Sequence, residues 1–151
     1  MRKLTVLAAI TTLLVGLPLR ADEKPTEDYQ KAEKALNTAN NAMRNHVKSI
    51  DYPSLEKDAA AFKEAFGVML AYWQDKKMDD AVKFVRDGLT GVTALETAAK
   101  SMNYDGVLAA QNAIAGSNGV AFVGESSLPG VCVGCHLAHR LRLPDGSYAI
   151  K

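Results

Sequence analysis

Apolar positions fall into four helical stripes separated by breaks. Tyr29, Ala32, Leu36, Ala39, Met43, His46 and Ile50 recur at alternating intervals of three and four residues. That spacing lays one face of an amphipathic helix against a core. Glu27 and Asp28 fall in its first turn, where carboxylates suit the positive end of the helix. Asp51-Tyr52-Pro53 breaks the pattern, and Pro53 fits the first turn of a second helix. The second stripe is Leu55, Ala59, Phe62, Phe66, Met69 and Trp73, closed by Lys76-Lys77. A third begins near Asp79-Asp80 and runs through Val82, Val85, Leu89, Val92, Leu95, Ala99 and Met102. Gly88 and Gly91 within it either weaken the helix or admit a close neighbour. An Ala-rich fourth helix is predicted over 104–115, with Val107, Leu108, Gln111 and Ile114 inward.

The periodicity then stops. Turn-rich sequence at 116–119 and 124–130 encloses the apolar island Val120-Ala121-Phe122-Val123. A short last helix is expected to start near Pro129 and to carry Cys132 to Leu141. Pro144-Asp145-Gly146 is a turn signal between two apolar triplets, which suggests a small hairpin. Four helices with short connections predict an all-α, up-down four-helix bundle. Core packing alone accounts for the three stripe methionines Met43, Met69 and Met102. His46 reads as a polar group near the far end of the bundle.

The first residues stand apart from this pattern. Arg2-Lys3 precede the uncharged run Leu4–Leu17, and Ala21 precedes Asp22-Glu23. A basic start, a short apolar run and a small residue at the cut describe a secretory signal peptide over 1–21. The run is shorter than the ~20 residues of a spanning helix. The remaining domain, 22–151, carries 15 basic and 17 acidic residues, net −2 with His neutral. Such a balance argues against a nucleic-acid surface. The expectation is a soluble, exported protein of a bacterial periplasm, an oxidising compartment.

The two cysteines fall in one pentapeptide, Cys132-Val133-Gly134-Cys135-His136. Cys-x-x-Cys-His is the pattern of covalent c-type haem attachment. Two thiols two residues apart can reach both vinyl groups on one porphyrin edge. The adjacent imidazole of His136 then ligates iron from below. Gly134 would permit close approach to the macrocycle. Two other readings compete: a dithiol redox pair, which expects a βαβ setting, and a crowded zinc site that adds His139. No catalytic constellation is visible elsewhere, so the expectation is a binding or electron-carrying protein rather than an enzyme.

A four-helix bundle with Cys-x-x-Cys-His near its C-terminus resembles the class II c-type cytochromes, the cytochrome c′ family. The likeness covers roughly residues 25–140. Family members often continue with an aromatic and an Arg four residues after the His. Here Arg140 matches and His139 replaces the aromatic. Two departures stand out: residues 116–130 intervene between the fourth helix and the motif, and eleven residues follow Arg140. The resemblance implies one haem c and either electron transfer with a redox partner protein or binding of nitric oxide or carbon monoxide. It also implies a homodimer through the first two helices.

In the family, the residue across the iron comes from the first helix: Met in the electron-transfer branch, an apolar residue in the five-coordinate branch. Leu36 lies at about the right level. A shifted register brings Asn40 over the iron instead. Met43 is seven residues beyond Leu36, roughly 10 Å along the axis. The expectation is therefore five-coordinate iron held by His136, with Leu36 or Asn40 near the open face. The alternative is a six-coordinate carrier with Met43 as distal ligand. Arg140 is expected beside His136 or a haem propionate.

Overall fold

The computed structural model describes residues 24–116 and 130–151. The signal-peptide expectation and the apolar island 120–123 lie outside these residues. The described chain is mainly helical. In order come α1 (Glu27–Ser49), α2 (Tyr52–Asp75), α3 (Asp79–Lys100), α4 (Tyr104–Ala115), α5 (Val131–His139), β1 (Arg140–Arg142) and β2 (Tyr148–Ile150).

Side-chain caps set three of the starts. Thr26 Oγ1 accepts from the Tyr29 N–H at 3.3 Å, Asp51 from the Ser54 N–H at 3.2 Å, and Asn103 from the Gly106 N–H at 3.0 Å. Each satisfies a donor that the first helical turn leaves without an intrahelical partner. Pro53 sits in the first turn of α2, as its missing N–H allows.

Each of the first four helices packs on the next, and α4 also touches α1. Phe62, Met43, Leu55, Trp73, Leu95 and Ile114 are fully buried at their centre. Two glycines permit close contact. A Cβ on Gly88 would meet Phe66 Cζ at 2.8 Å, and one on Gly91 would meet Ile114 Cγ1 at 2.9 Å. Of the two readings of these glycines, close approach is the one observed.

Two stripe positions do not point inward. Ile50 is 53% exposed and Met102 is 71% exposed. Both follow the last helical residues with left-handed backbone, φ 55° and 52°. Ile50 caps α1, and the amides of Ile50 and Asp51 turn back to the carbonyls of Val47 and His46 at 3.2 and 2.9 Å. The helix ends there, so the periodic position no longer faces the core.

α1 and α2 run antiparallel in a fixed register. Tyr29 packs edge-on against Trp73, with centroids 5.6 Å apart. Near the other end, His46 Nδ1 lies 2.7 Å from Asp58 Oδ2. This register sets Glu33 level with Met69 and Leu36 level with Phe66.

α5 docks on α3 and α4. Gly134 makes the first contact close, because a Cβ there would lie 2.8 Å from Phe84 Cε1. The hairpin pairs Arg140 with Ile150, Leu141 with Ala149 and Arg142 with Tyr148. The Lys151 N–H returns to the carbonyl of His139 at 3.1 Å. Among the described residues, no helix is long and apolar enough to cross a membrane.

Candidate functional site

α5, the hairpin and one end of the first three helices enclose a cavity of about 540 Å³. That lies within the roughly 300–1,000 Å³ typical of cofactor and small-molecule sites. Leu36, Phe66, Met69, Trp73, Phe84 and Ile150 supply apolar walls, and Cys132, Cys135 and His136 line it from α5. The cysteine side chains reach it because three residues nearly complete one helical turn.

Both thiols are free. Burial pushes Cys132 up to about 11. Cys135 is pushed up to about 12 by burial, then by Cys132 and by the carboxylates of Glu33 and Asp80. They are therefore protonated at neutral pH and poor thiolate nucleophiles. His136 sits at the accessible mouth. The apolar surroundings, then the Arg140 cation, lower its pKa below the usual histidine value.

Arg140 Nη1 is 3.5 Å from His136 Nε2. Its guanidinium stacks over the Tyr148 ring at 3.4 Å, a cation–π contact. Its Nε is buried without a hydrogen-bond partner among the described residues, as is Asn40 Oδ1. Both residues line the cavity.

His139 is 6% exposed. Its ring packs 5.3 Å from Trp73 and 6.3 Å from Phe84. Nε2 lies 3.2 Å from Asp80 Oδ2 but is not aligned for a hydrogen bond. His139 thus holds the end of α5 in an aromatic notch, filling the place of an aromatic residue. It faces away from solvent.

Most residues singled out in the sequence meet here: Leu36, Asn40, Cys132, Cys135, His136 and Arg140 all line the one cavity. Met43 is fully buried in the core and is not among the lining residues. The thioether that does line the cavity belongs to Met69 on α2. Gly134 faces Phe84, so a protein ring explains the glycine that sequence reasoning assigned to a macrocycle.

Sequence reasoning missed Glu33, Met69 and the hairpin wall of Tyr148 and Ile150. Glu33 lies one turn after Tyr29, on the flank of the inward stripe. That position was the available signal for it. Among the described residues, no group of three or more His, Cys, Asp or Glu side chains is arranged to hold a metal ion. Comparisons with protein-family models, with curated proteins and with solved structures return no match.

Proposed function

We propose that the chain is an exported, single-haem c-type cytochrome. Haem c would be bound through Cys132 and Cys135, with His136 as iron ligand, for electron transfer or for binding nitric oxide or carbon monoxide. One observation carries this reading: all three residues of the Cys-x-x-Cys-His motif line a single, largely apolar cavity of about 540 Å³. The helical frame, in which α4 packs on α1, supports the up-down four-helix bundle of the cytochrome c′ resemblance. The signal-like start at 1–21 supports a periplasmic location.

The residues fit the group on chemical grounds. Two thiols on one helix face suit thioether attachment. The buried, unpartnered Nε of Arg140 suits a carboxylate such as a haem propionate. Bound haem would supply one-electron redox chemistry and the capacity to bind a small ligand. The chain's residues do the rest. Cys132 and Cys135 would attach the haem covalently, and His136 would bind its iron. Leu36, Phe66, Met69 and Trp73 exclude water from the interior. Met43, outside the cavity lining, disfavours the six-coordinate alternative in which it is the distal ligand. The raised thiol pKa values weigh against a reactive dithiol.

The test is expression with and without haem-c maturation machinery. The expected product is red and keeps its haem through acid–acetone extraction. The ferrous form should be high-spin and bind carbon monoxide, with Met43→Leu leaving the spectrum unchanged. A colourless product under full maturation would refute the haem reading. A low-spin ferrous form that turns high-spin in Met43→Leu would establish the six-coordinate alternative.

A further inference from the structure

Glu33 is the one carboxylate among the residues lining the cavity. It projects from α1 at the level of Met69, and its charge is felt by Cys135 on α5. It forms no hydrogen bond or ion pair with another described residue, unlike the surface acids Glu27, Asp87 and Glu96, which pair with lysines. Its polar neighbours along α1 on the cavity are the amides Gln30, Asn37 and Asn40, the phenol of Tyr29 and the ammonium of Lys34. Partial burial makes the charged form of this carboxylate costly.

Resting on the reading of a haem held by Cys132, Cys135 and His136, we propose that Glu33 takes up a proton when the site takes up an electron. The step balances simply. A one-electron reductant gives one electron to ferric iron, and bulk water gives one proton to the Glu33 carboxylate. The products are ferrous iron and the neutral acid, with no change in net charge inside the cavity. Reoxidation returns the proton. The physical cause is Coulombic: an added negative charge across a low-dielectric cavity favours protonation of an acid on its wall.

The surroundings allow this. Burial already raises the Glu33 pKa above the ordinary carboxylate value, and the Arg140 cation opposes the rise. Besides the amides, the other polar or titratable groups on the cavity are Tyr29 and Lys34 from α1, Cys132, Cys135, His136 and His139 from α5, and Arg140, Ser147 and Tyr148 from the hairpin. Lys24 joins them from the segment before α1. Asp80 of α3 acts on Cys135 from outside the lining. α2 contributes only Phe66, Met69 and Trp73. Burial pushes the Tyr29 phenol far above its usual range, so it stays neutral.

The experiment is a spectroelectrochemical titration of the haem-loaded protein from pH 4 to 9, with wild type, Glu33→Gln and Glu33→Asp. The Glu33 pKa should be higher in the reduced state. Between its two values the potential should fall as pH rises, by at most about 59 mV per unit, the one-electron equivalent of tenfold. Glu33→Gln should remove that slope, and Glu33→Asp should keep it with a displaced window. Slopes that persist unchanged in Glu33→Gln would assign the proton to another group, such as a haem propionate, and overturn the proposal. Redox-difference infrared spectra of the wild type provide a variant-free check, because a protonated carboxyl band must appear on reduction. Its absence also overturns the proposal. Failure of the haem reading is distinct, since it shows as a chain without covalent haem before any titration.

Discussion

Valine in place of Gly134 separates two explanations of the motif's glycine. A Cβ at this position lies 2.8 Å from Phe84 Cε1, whereas ordinary contact begins at 3.4 Å. The ring must therefore retreat by several tenths of an ångström, and two further methyls add to the crowding. Overpacking of this kind costs about 1–3 kcal/mol. Valine's better helix propensity returns only a few tenths, about 0.4 kcal/mol. The net, about 0.6–2.6 kcal/mol, corresponds to a roughly 3- to 70-fold shift in equilibrium. The strain falls on the α3–α5 contact, so α5 and the hairpin should loosen before the first four helices do. Hydrogen exchange resolved by peptide should show lost protection over 131–151, with 52–75 little changed. The double variant Gly134→Val/Phe84→Ala should recover protection beyond what the two single effects predict. If Phe84→Ala fails to rescue, and Gly134→Val impairs haem attachment alone, the glycine serves the macrocycle and the reasoning is refuted.

Removing His46 as His46→Leu should destabilise the chain by about 1–3 kcal/mol at pH 7, because buried Asp58 loses its 2.7 Å partner. Burial raises the Asp58 pKa above its ordinary 3.8, and the bond to His46 opposes this. The acid is therefore easier to bury protonated, and the penalty of His46→Leu should shrink as pH falls toward 4. Urea unfolding at both pH values measures it, and a pH-independent penalty counts against the pairing. Trp73→Ala should cost about 3–5 kcal/mol, since the indole is 1% exposed and seats both Tyr29 and His139. The same melts, read by circular dichroism, check it, and a loss under 1 kcal/mol contradicts the packing account. Chain made without haem should be more protease-sensitive than the loaded form, because the cavity's apolar walls then lack a filler. Equal melting of the two forms would contradict that.

The frame was legible because its signals are local. Pro53 and Asp79-Asp80 mark helix starts within their own turns, and the three-four spacing names the faces. Periodicity cannot mark where a helix stops turning, which is why Ile50 and Met102 read as inward. The motif residues were equally local. The cavity was only half legible. Its level along α1 depends on the Tyr29–Trp73 register and on the docking of α5 at Phe84. Both contacts join residues far apart in sequence. Met43 and Met69 are alike in the pattern, and only that register puts one on the cavity and the other in the core. Glu33 was overlooked because a hydrophobic stripe is drawn through apolar residues, and a carboxylate on its flank reads as solvated.

The position of α5 has a consequence in time as well as in space. Helices that pack on their sequence neighbours form quickly, because little loop entropy is spent before contacts are made. α1 to α3 are such neighbours, yet the wall that closes their cavity comes from 131–151. During synthesis, Phe66, Met69 and Trp73 would stand for a while along an open trough. That interval is an opportunity for a flat apolar guest to enter and also a period of exposure to aggregation. Loading should therefore depend on order: haem offered during refolding from urea should enter faster than haem offered to a chain whose last helix has already docked.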